Sequence, residues 1–407
     1  VTNTDNSDPL PQTSAAHRNG GGLRVALLYN LADNAPLLDV NAPPDALDEL
    51  DSAKNVKAYA AALEKAGHTV FPMEGDAALP AKLKKLNIDI AFNTCEGFRG
   101  DSREAQVPAL LEMLGVPYTA AKVLGLALSL DKAMTKRVLM QHGLPTPRFQ
   151  EFFHASDPLD PTLRFPLFAK PNREGTGKGI TEKSILHNAT ELRDYVAYLI
   201  KTYHQSVLVE EYVDGRDLTC GLVGNLAPHA LATPIPLDAL KPKDGQLGVD
   251  YEGVHFYPIS EVDYTGYEPG TEPVYSNKLK VTLADKYRCL CPAPLSDDLA
   301  AEVRRLTLEV FRHTQALDMG RVDFRLDRRS GLPMILEINA LPGITPTSDL
   351  TLCVEAEGLT HADLVISVME AAIRRHGLKP RPQRKTVARR KPALDLTPAI
   401  APLNVNL

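Results

Sequence analysis

Asp323, Glu337 and Asn339 offer oxygen atoms of the kind that hold a hard cation such as Mg²⁺. They lie in RVDFRLDRRSGLPMILEIN, which reads as a β-hairpin turning at Arg329-Ser330-Gly331. Side chains alternate along a strand. Arg321, Asp323 and Arg325 therefore share one face of the first strand, and Ile335, Glu337 and Asn339 one face of the second. A carboxylate from each strand, with an amide oxygen two residues on, can converge on one small site. The LPGITPTS that follows adds backbone N–H groups and hydroxyls able to hold an anion. For a lone Asp and Glu, a solvated sheet face is the plainer account; the rest of the chain decides between the two.

A second set of residues has phosphate chemistry. After the strand FPLFAKP comes NREGTGKGI, with three glycines within five residues and Thr176 and Lys178 among them. Its N–H groups can wrap a polyphosphate, with Lys170 before it and Lys132 upstream as cationic partners. A third stretch, CEGFRGDSREAQ, directly follows the strand IDIAFN at its carboxyl end, where open α/β sheets bind ligands. It reads as a substrate-facing loop. Gly20-Gly21-Gly22 precedes its strand instead of following it, so it reads as a hinge and not a dinucleotide loop.

These residues need elements to position them. From Leu23 the order is strand LRVALLYN, helix Lys54 to Ala66 closed by Gly67, strand HTVFP, helix ALPAKLKKL and strand IDIAFN, then a helix over Glu104 to Leu114. That alternation implies a parallel, Rossmann-like sheet. LDKAMTKRVLMQHGLP holds a helix stopped by Gly143 and Pro145. Helix ATELRDYVAYLIKTY and strands SVLVEEYV and LTCGLVGN follow. Residues 234 to 280 show little periodicity and read as a long lid. A helix over Ser296 to Leu317, N-capped by Ser296, leads into the hairpin, and a last helix covers His361 to His376. The expected division is a disordered tail at 1–19, a Rossmann-like domain at 20–125, a flap-bearing subdomain at 126–210, a subdomain with lid and cation site at 211–377, and a disordered basic, Pro-rich tail at 378–407.

Composition narrows the class. The 407 residues, 44% apolar and 24% charged, are those of a globular protein with room for two or three domains. A net charge of −6 gives no general attraction to nucleic acid or anionic membrane. Seven basic residues between Lys379 and Lys391 read as a solvated tail. Five scattered cysteines argue for a reducing compartment. With neither a signal peptide nor a spanning segment in view, a cytoplasmic protein is expected.

In this order, LDKAMTK, FPLFAKPNREGTGKGI, LVEEYVDGRDLT and RVDFRLD...LEINALPGITPTS resemble the D-alanine–D-alanine ligase family of ATP-grasp enzymes, most closely from Leu130 onward. The resemblance implies an α/β protein, α+β in its C-terminal half. Its fold would be the three-domain ATP-grasp type, with ATP held between two antiparallel sheets. By resemblance, Lys132 and Lys170 contact phosphate, and Glu174, Gly175, Thr176, Gly177 and Gly179 belong to the flap. Glu210, Glu211, Tyr212 and Val213 form the adenine hinge. Asp217 takes the place of a ribose-binding glutamate, and Lys280 that of the lid lysine, followed by Val281 where a tyrosine is usual. Asp323, Glu337 and Asn339 match the ligands of two Mg²⁺ ions, for which Mn²⁺ can substitute. Arg321 and the Gly343 N–H match the groups that stabilise an oxyanion, and Ser348 a contact to the second substrate's carboxylate.

The function so implied is an ATP-dependent carboxylate–amine ligase, forming a peptide bond between amino acids through an acyl phosphate, as in peptidoglycan biosynthesis. Its partners would be ATP and small amino-acid substrates, with a homodimer as the expected assembly. The N-terminal motifs depart from the family. CEGFRGDSREAQ stands where HGxxGEDGxxQ is usual, and no GGxSxEH motif is present. An ATP-grasp ligase joining other amino acids, or an amino acid to a small metabolite, is therefore an open alternative. An inactive nucleotide-binding scaffold is a second.

Overall fold

The apolar run RVALLY forms β1 (Arg24–Tyr29), buried along nearly its whole length as the centre of a parallel sheet must be. In this computed structural model, which describes residues 22–36, 42–265, 274–275 and 288–379, β1 lies between and parallel to β2 (Thr69–Glu74) and β3 (Ile90–Asn93). α1 (Ala53–Lys65) crosses from β1 to β2 and buries Val56, Tyr59, Ala60 and Leu63. Ser52 caps it by accepting the Asn55 N–H at 3.3 Å. Gly67, one residue beyond the Ala66 cap, takes a φ of +93° that a side chain would resist. α2 (Leu79–Lys85) and α3 (Gln106–Leu114) complete the alternation read from sequence.

α4 (Val123–Leu130) and α5 (Lys132–Gln141) meet at Asp131, whose carboxylate accepts the Met134 N–H at 2.9 Å and starts α5 there. Lys132 thus stands in a helical first turn, aimed at the flap. An antiparallel sheet follows in the order β4 (Phe149–Phe152), β7 (Val207–Glu211), β5 (Leu167–Pro171), β6 (Ile185–Leu186). α6 (Ala189–Tyr203) covers one face through Leu192, Tyr195, Val196 and Leu199.

The second antiparallel sheet is built on β8 (Gly215–Gly224), with β9 (Val249–Tyr251), β10 (Val254–Phe256), β11 (Ser260–Asp263) and β12 (Arg288–Leu290) to one side. Within the stretch 234–280 read as a lid, residues 249–263 instead contribute three strands to this sheet, while 266–273 and 276–280 lie outside the described residues. These strands are only three or four residues long, too short for a period of two to register. α7 (Asp297–Thr314) is capped by Ser296 and ends at Gln315, which adopts a left-handed φ of +59°. This is three residues short of the sequence reading. β13 (Met319–Asp327) pairs with β8 and with β14 (Pro333–Asn339), and α8 (Asp349–Ala356) and α9 (His361–Arg375) are the last elements among the described residues.

Arg375 fastens α9 across the units. It donates to Asp318 at 2.6 and 2.9 Å and to the carbonyl of Tyr118 at 2.8 Å, while Asp318 accepts the Ala120 N–H at 3.0 Å. One apolar cluster accordingly runs from Val56 and Tyr59 on α1 to Leu364 and Val368 on α9. Among the described residues no helix is long and apolar enough to cross a membrane, and the five cysteines are free.

Candidate active site

The hairpin forms the floor of a cleft between the two antiparallel sheets. Arg321 pairs with Asn339 and Asp323 with Glu337 across β13 and β14. Asp323 accepts the Thr219 hydroxyl at 2.8 Å, the Asn339 amide at 3.0 Å and Arg321 at 2.9 and 3.0 Å. The register then shifts, so that Phe324 faces Ile335. The extra residue, Leu336, lines the cleft beside Glu337, while Ile335 turns into the core at 0% exposure. The sequence reading that put Ile335 on the face of Glu337 and Asn339 is thus corrected: a β-bulge reverses the alternation there. Two facing carboxylates with an adjacent amide remain, an all-oxygen donor set that fits a hard divalent cation.

Arg321 also reaches Asp349 at 3.2 Å, and the Tyr275 hydroxyl donates to Asp349 at 2.8 Å. Burial works against the guanidinium charge, but Asp323 and Asp349 outweigh it and hold Arg321 firmly protonated. A cation is so fixed at the edge of the floor.

From β5 and α5, cations converge on Glu337. Lys170 on β5 lies 3.6 Å from Glu337 and 3.3 Å from Glu210, and Lys132 lies 3.6 Å from Glu337. Lys132 also donates to the Glu174 carbonyl. Behind them Lys136 sits 2.6 Å from Glu210 and donates to Thr146 at 2.6 Å. Burial drives the Lys136 pKa down despite its partner, whereas for Lys170 the Glu210 and Glu337 charges outweigh burial and raise it. Glu210 is held below its ordinary value because Lys136 and Lys170 outweigh its burial. Sequence reasoning does not single out Lys136, although it stands one turn beyond Lys132 in LDKAMTK.

The glycine-rich flap leaves β5 over this cleft, tied down by an acidic segment of the N-terminal unit. Glu49 accepts the Gly175 N–H and pairs with Arg103 at 2.8 Å and Lys178 at 2.7 Å. Asp45 accepts the Gly179 N–H at 2.9 Å and the Tyr203 hydroxyl. A Cβ on Gly175 would come within 2.5 Å of the Glu49 carboxylate, so a side chain there would displace that carboxylate from its place. Neither Asp45 nor Glu49 stands out in the sequence. A single carboxylate in an acidic loop carries no signal of a partner in another unit.

A cavity of about 110 Å³ at the far end of the cleft is lined by Glu210, Glu211, Tyr212, Val213 and Asp217, together with Phe168, Leu218, Phe324 and Leu336. Apolar walls with the carboxyl end of β7 between them suit a flat heterocycle. The Glu211 side chain turns to Arg148, at 2.5 and 3.0 Å. Asp217 accepts the Tyr264 hydroxyl at 2.7 Å and lies 3.5 Å from Arg325, whose guanidinium stacks 4.8 Å above the Tyr212 ring.

A second cavity, of about 380 Å³, opens on the other side of Arg321. Gly343 and Ser348 line it with Asn339 and Asp349, and its opposite wall carries Asp51, Glu96 and Glu104 from the N-terminal unit. Ser348 caps α8 by accepting the Thr351 N–H at 3.4 Å. Thr176 and Gly177 of the flap face the first cavity, while Glu174, Gly175 and Thr176 line the second. Lys280 and Val281 lie outside the described residues.

A family model described as the D-ala D-ala ligase C-terminus matches residues 138–235 and 258–370. Among curated relatives, a D-alanine–D-alanine ligase of Aquifex aeolicus is 30% identical over 77% of this chain and 93% of its own length. That of Cupriavidus metallidurans is 32% identical over 77% and 84%. An uncharacterised protein, y4sG, of Sinorhizobium fredii is 30% identical over 87% of this chain and 98% of its own. The crystal structure of the Bacillus anthracis D-alanine–D-alanine ligase complexed with ATP shares the fold, with a TM-score of 0.62 at 20% identity over 88% of this chain and 99% of that one. The chain belongs to the D-alanine–D-alanine ligase family and is an ATP-grasp ligase.

Proposed function

We propose that the protein joins two amino acids by a peptide bond, using ATP to convert the carboxylate of the first into an acyl phosphate. The observation that carries this reading is the convergence of Lys132 and Lys170, each 3.6 Å from Glu337, on a floor where Glu337 faces Asp323. Such a site gathers charge where a phosphoryl group is transferred. Asp323, Glu337 and Asn339 would hold Mg²⁺, which when bound neutralises phosphate charge. The adenine would lie along Glu210 to Val213 with its ribose toward Asp217. The flap from Glu174 to Gly179 would close on the phosphates.

On the other side of Arg321 the amine of the second amino acid attacks the activated carbonyl. Arg321 and the Gly343 N–H stabilise the oxyanion, and Ser348 receives the second carboxylate. The three working units would be 20–125, 126–210 and 211–377. An inactive scaffold would have no need to keep Arg321, Asp323, Glu337, Asn339 and both lysines together. The test is ADP and phosphate release with Mg²⁺-ATP across pairs of D- and L-amino acids, with mass spectrometry of the products. Release that requires an amino acid and yields a dipeptide is expected. ATP binding without amino-acid-dependent turnover would contradict the reading.

A further inference from the structure

The second cavity runs from the reacting centre, at Arg321, Asn339 and Gly343, to a wall on the N-terminal unit made by Asp51, Glu96 and Glu104. Glu96 follows the carboxyl end of β3, and Glu104 sits in the short helical turn Arg103–Ala105 ahead of α3. Both belong to CEGFRGDSREAQ, the stretch that departs from the family's motif. The wall belongs to the ligase's own substrate cavity.

The charge on that wall is only partly offset by the protein, since Arg103, Lys132 and Lys178 draw Glu104 down but are each held by other partners. Arg103 is engaged by Glu49 at 2.8 Å, Glu174 at 3.4 Å and the Arg173 carbonyl at 2.6 Å. Lys178 is held by Glu49 and Glu174, and Lys132 by Glu337 and the Glu174 carbonyl. Asp51 accepts the hydroxyls of Tyr59 at 3.2 Å and Thr94 at 2.7 Å, donors that satisfy its oxygens but bring no charge. Burial, Glu104 and Glu49 push the Glu96 carboxyl well above its usual range. Burial raises Glu104 to about 7 although Arg103 draws it down, and burial lifts Asp51 to about 6. Glu96 is repelled by both Glu104 and Asp51, so these three carboxyls facing one cavity ionise together only when the ligand brings positive charge.

We infer that the amino acid activated in this cavity carries a cationic side chain in addition to its α-ammonium group, as ornithine and lysine do. The inference rests on the ligase reading above. The α-ammonium group of a plain zwitterion would meet one of the three carboxylates; a second ammonium meets the others. The amino acid's own carboxylate then points along the cavity toward Arg321 and the phosphate-transfer centre.

The test is ATP-dependent product formation by the intact protein with D- and L-alanine, ornithine and lysine, offered singly and in pairs. Wild type is compared with Glu96→Gln and Glu104→Gln. The expected result is a kcat/KM for ornithine or lysine at least about tenfold above that for alanine, falling by at least about thirtyfold in either variant, as for loss of one partner of a buried charge pair. Both variants should melt at or above the wild-type temperature and bind Mg²⁺-ADP as wild type does, since each relieves repulsion. Preference for alanine, or a basic-residue preference unchanged in both variants, would overturn the inference and leave the ligase intact. Failure of every amino acid to stimulate ADP release would instead bring down the ligase reading, and this inference with it.

Discussion

Lys136 and Glu210 form an ion pair of 2.6 Å with side-chain exposures of only 1% and 3%. Glu210 is shared with Lys170 at 3.3 Å, which Glu337 also reaches at 3.6 Å, so Lys136 depends on Glu210 more than Lys170 does. Removing one member of such a pair strands the other, at a cost of about 3–5 kcal/mol. Glu210→Ala should therefore lower the denaturant midpoint sharply and abolish nucleotide binding. An unchanged midpoint would show that Lys136 sheds its proton instead.

Arg321 is pinned by Asp323 and Asp349 before any substrate arrives. A donor aimed in advance at developing negative charge accounts for about 10²–10³ in rate. Arg321→Ala should lose that much kcat while Mg²⁺-ATP still binds, as titration calorimetry can measure. Loss of ATP binding with kcat preserved would place its role in the ground state.

Glu49 fixes the flap from a distance. Burial opposes its charge, but Arg103 and Lys178 outweigh it and bring its pKa to about 2. Glu49→Ala should speed hydrogen exchange at Gly175 and Lys178 and raise the KM for ATP, leaving exchange in α9 untouched. Equal acceleration in both places would mean general destabilisation.

His255 bridges Asp250 at 2.7 Å and Glu357 at 2.9 Å, tying β10 to the end of α8. Burial disfavours its charge, yet the bonds to Asp250 and Glu357 push it up to about 9 from 6.5. Because the folded value is raised, its contribution is complete below about pH 6.5 and is lost as pH rises through about 9. The melting temperature should fall across that window, and His255→Gln should flatten the slope. A slope retained in the variant would point to another group.

The sequence carries the flap and the hairpin because their signals are local. Glycines within a few residues of a lysine, and alternating charges on two adjoining strands, need no knowledge of the rest of the fold. Glu49 and Gly175 are 126 residues apart and Asp45 and Gly179 are 134, so nothing in either stretch announces the other. Ile335 misled for a different reason. The period of two in PMILEIN is unbroken, and only pairing with β13 reveals the bulge. β9, β10 and β11 escaped because strands this short take their conformation from β8 and from each other, not from their own pattern.

The central claim is that ATP activates a carboxylate as an acyl phosphate, and isotope transfer tests it most directly. The activated amino acid, labelled with ¹⁸O in both carboxyl oxygens, is turned over with Mg²⁺-ATP and the released phosphate is weighed by mass spectrometry. One ¹⁸O per phosphate is the expected result, since the carboxylate oxygen that attacks the γ-phosphate leaves with it. Phosphate free of label, released in step with product, would contradict the account.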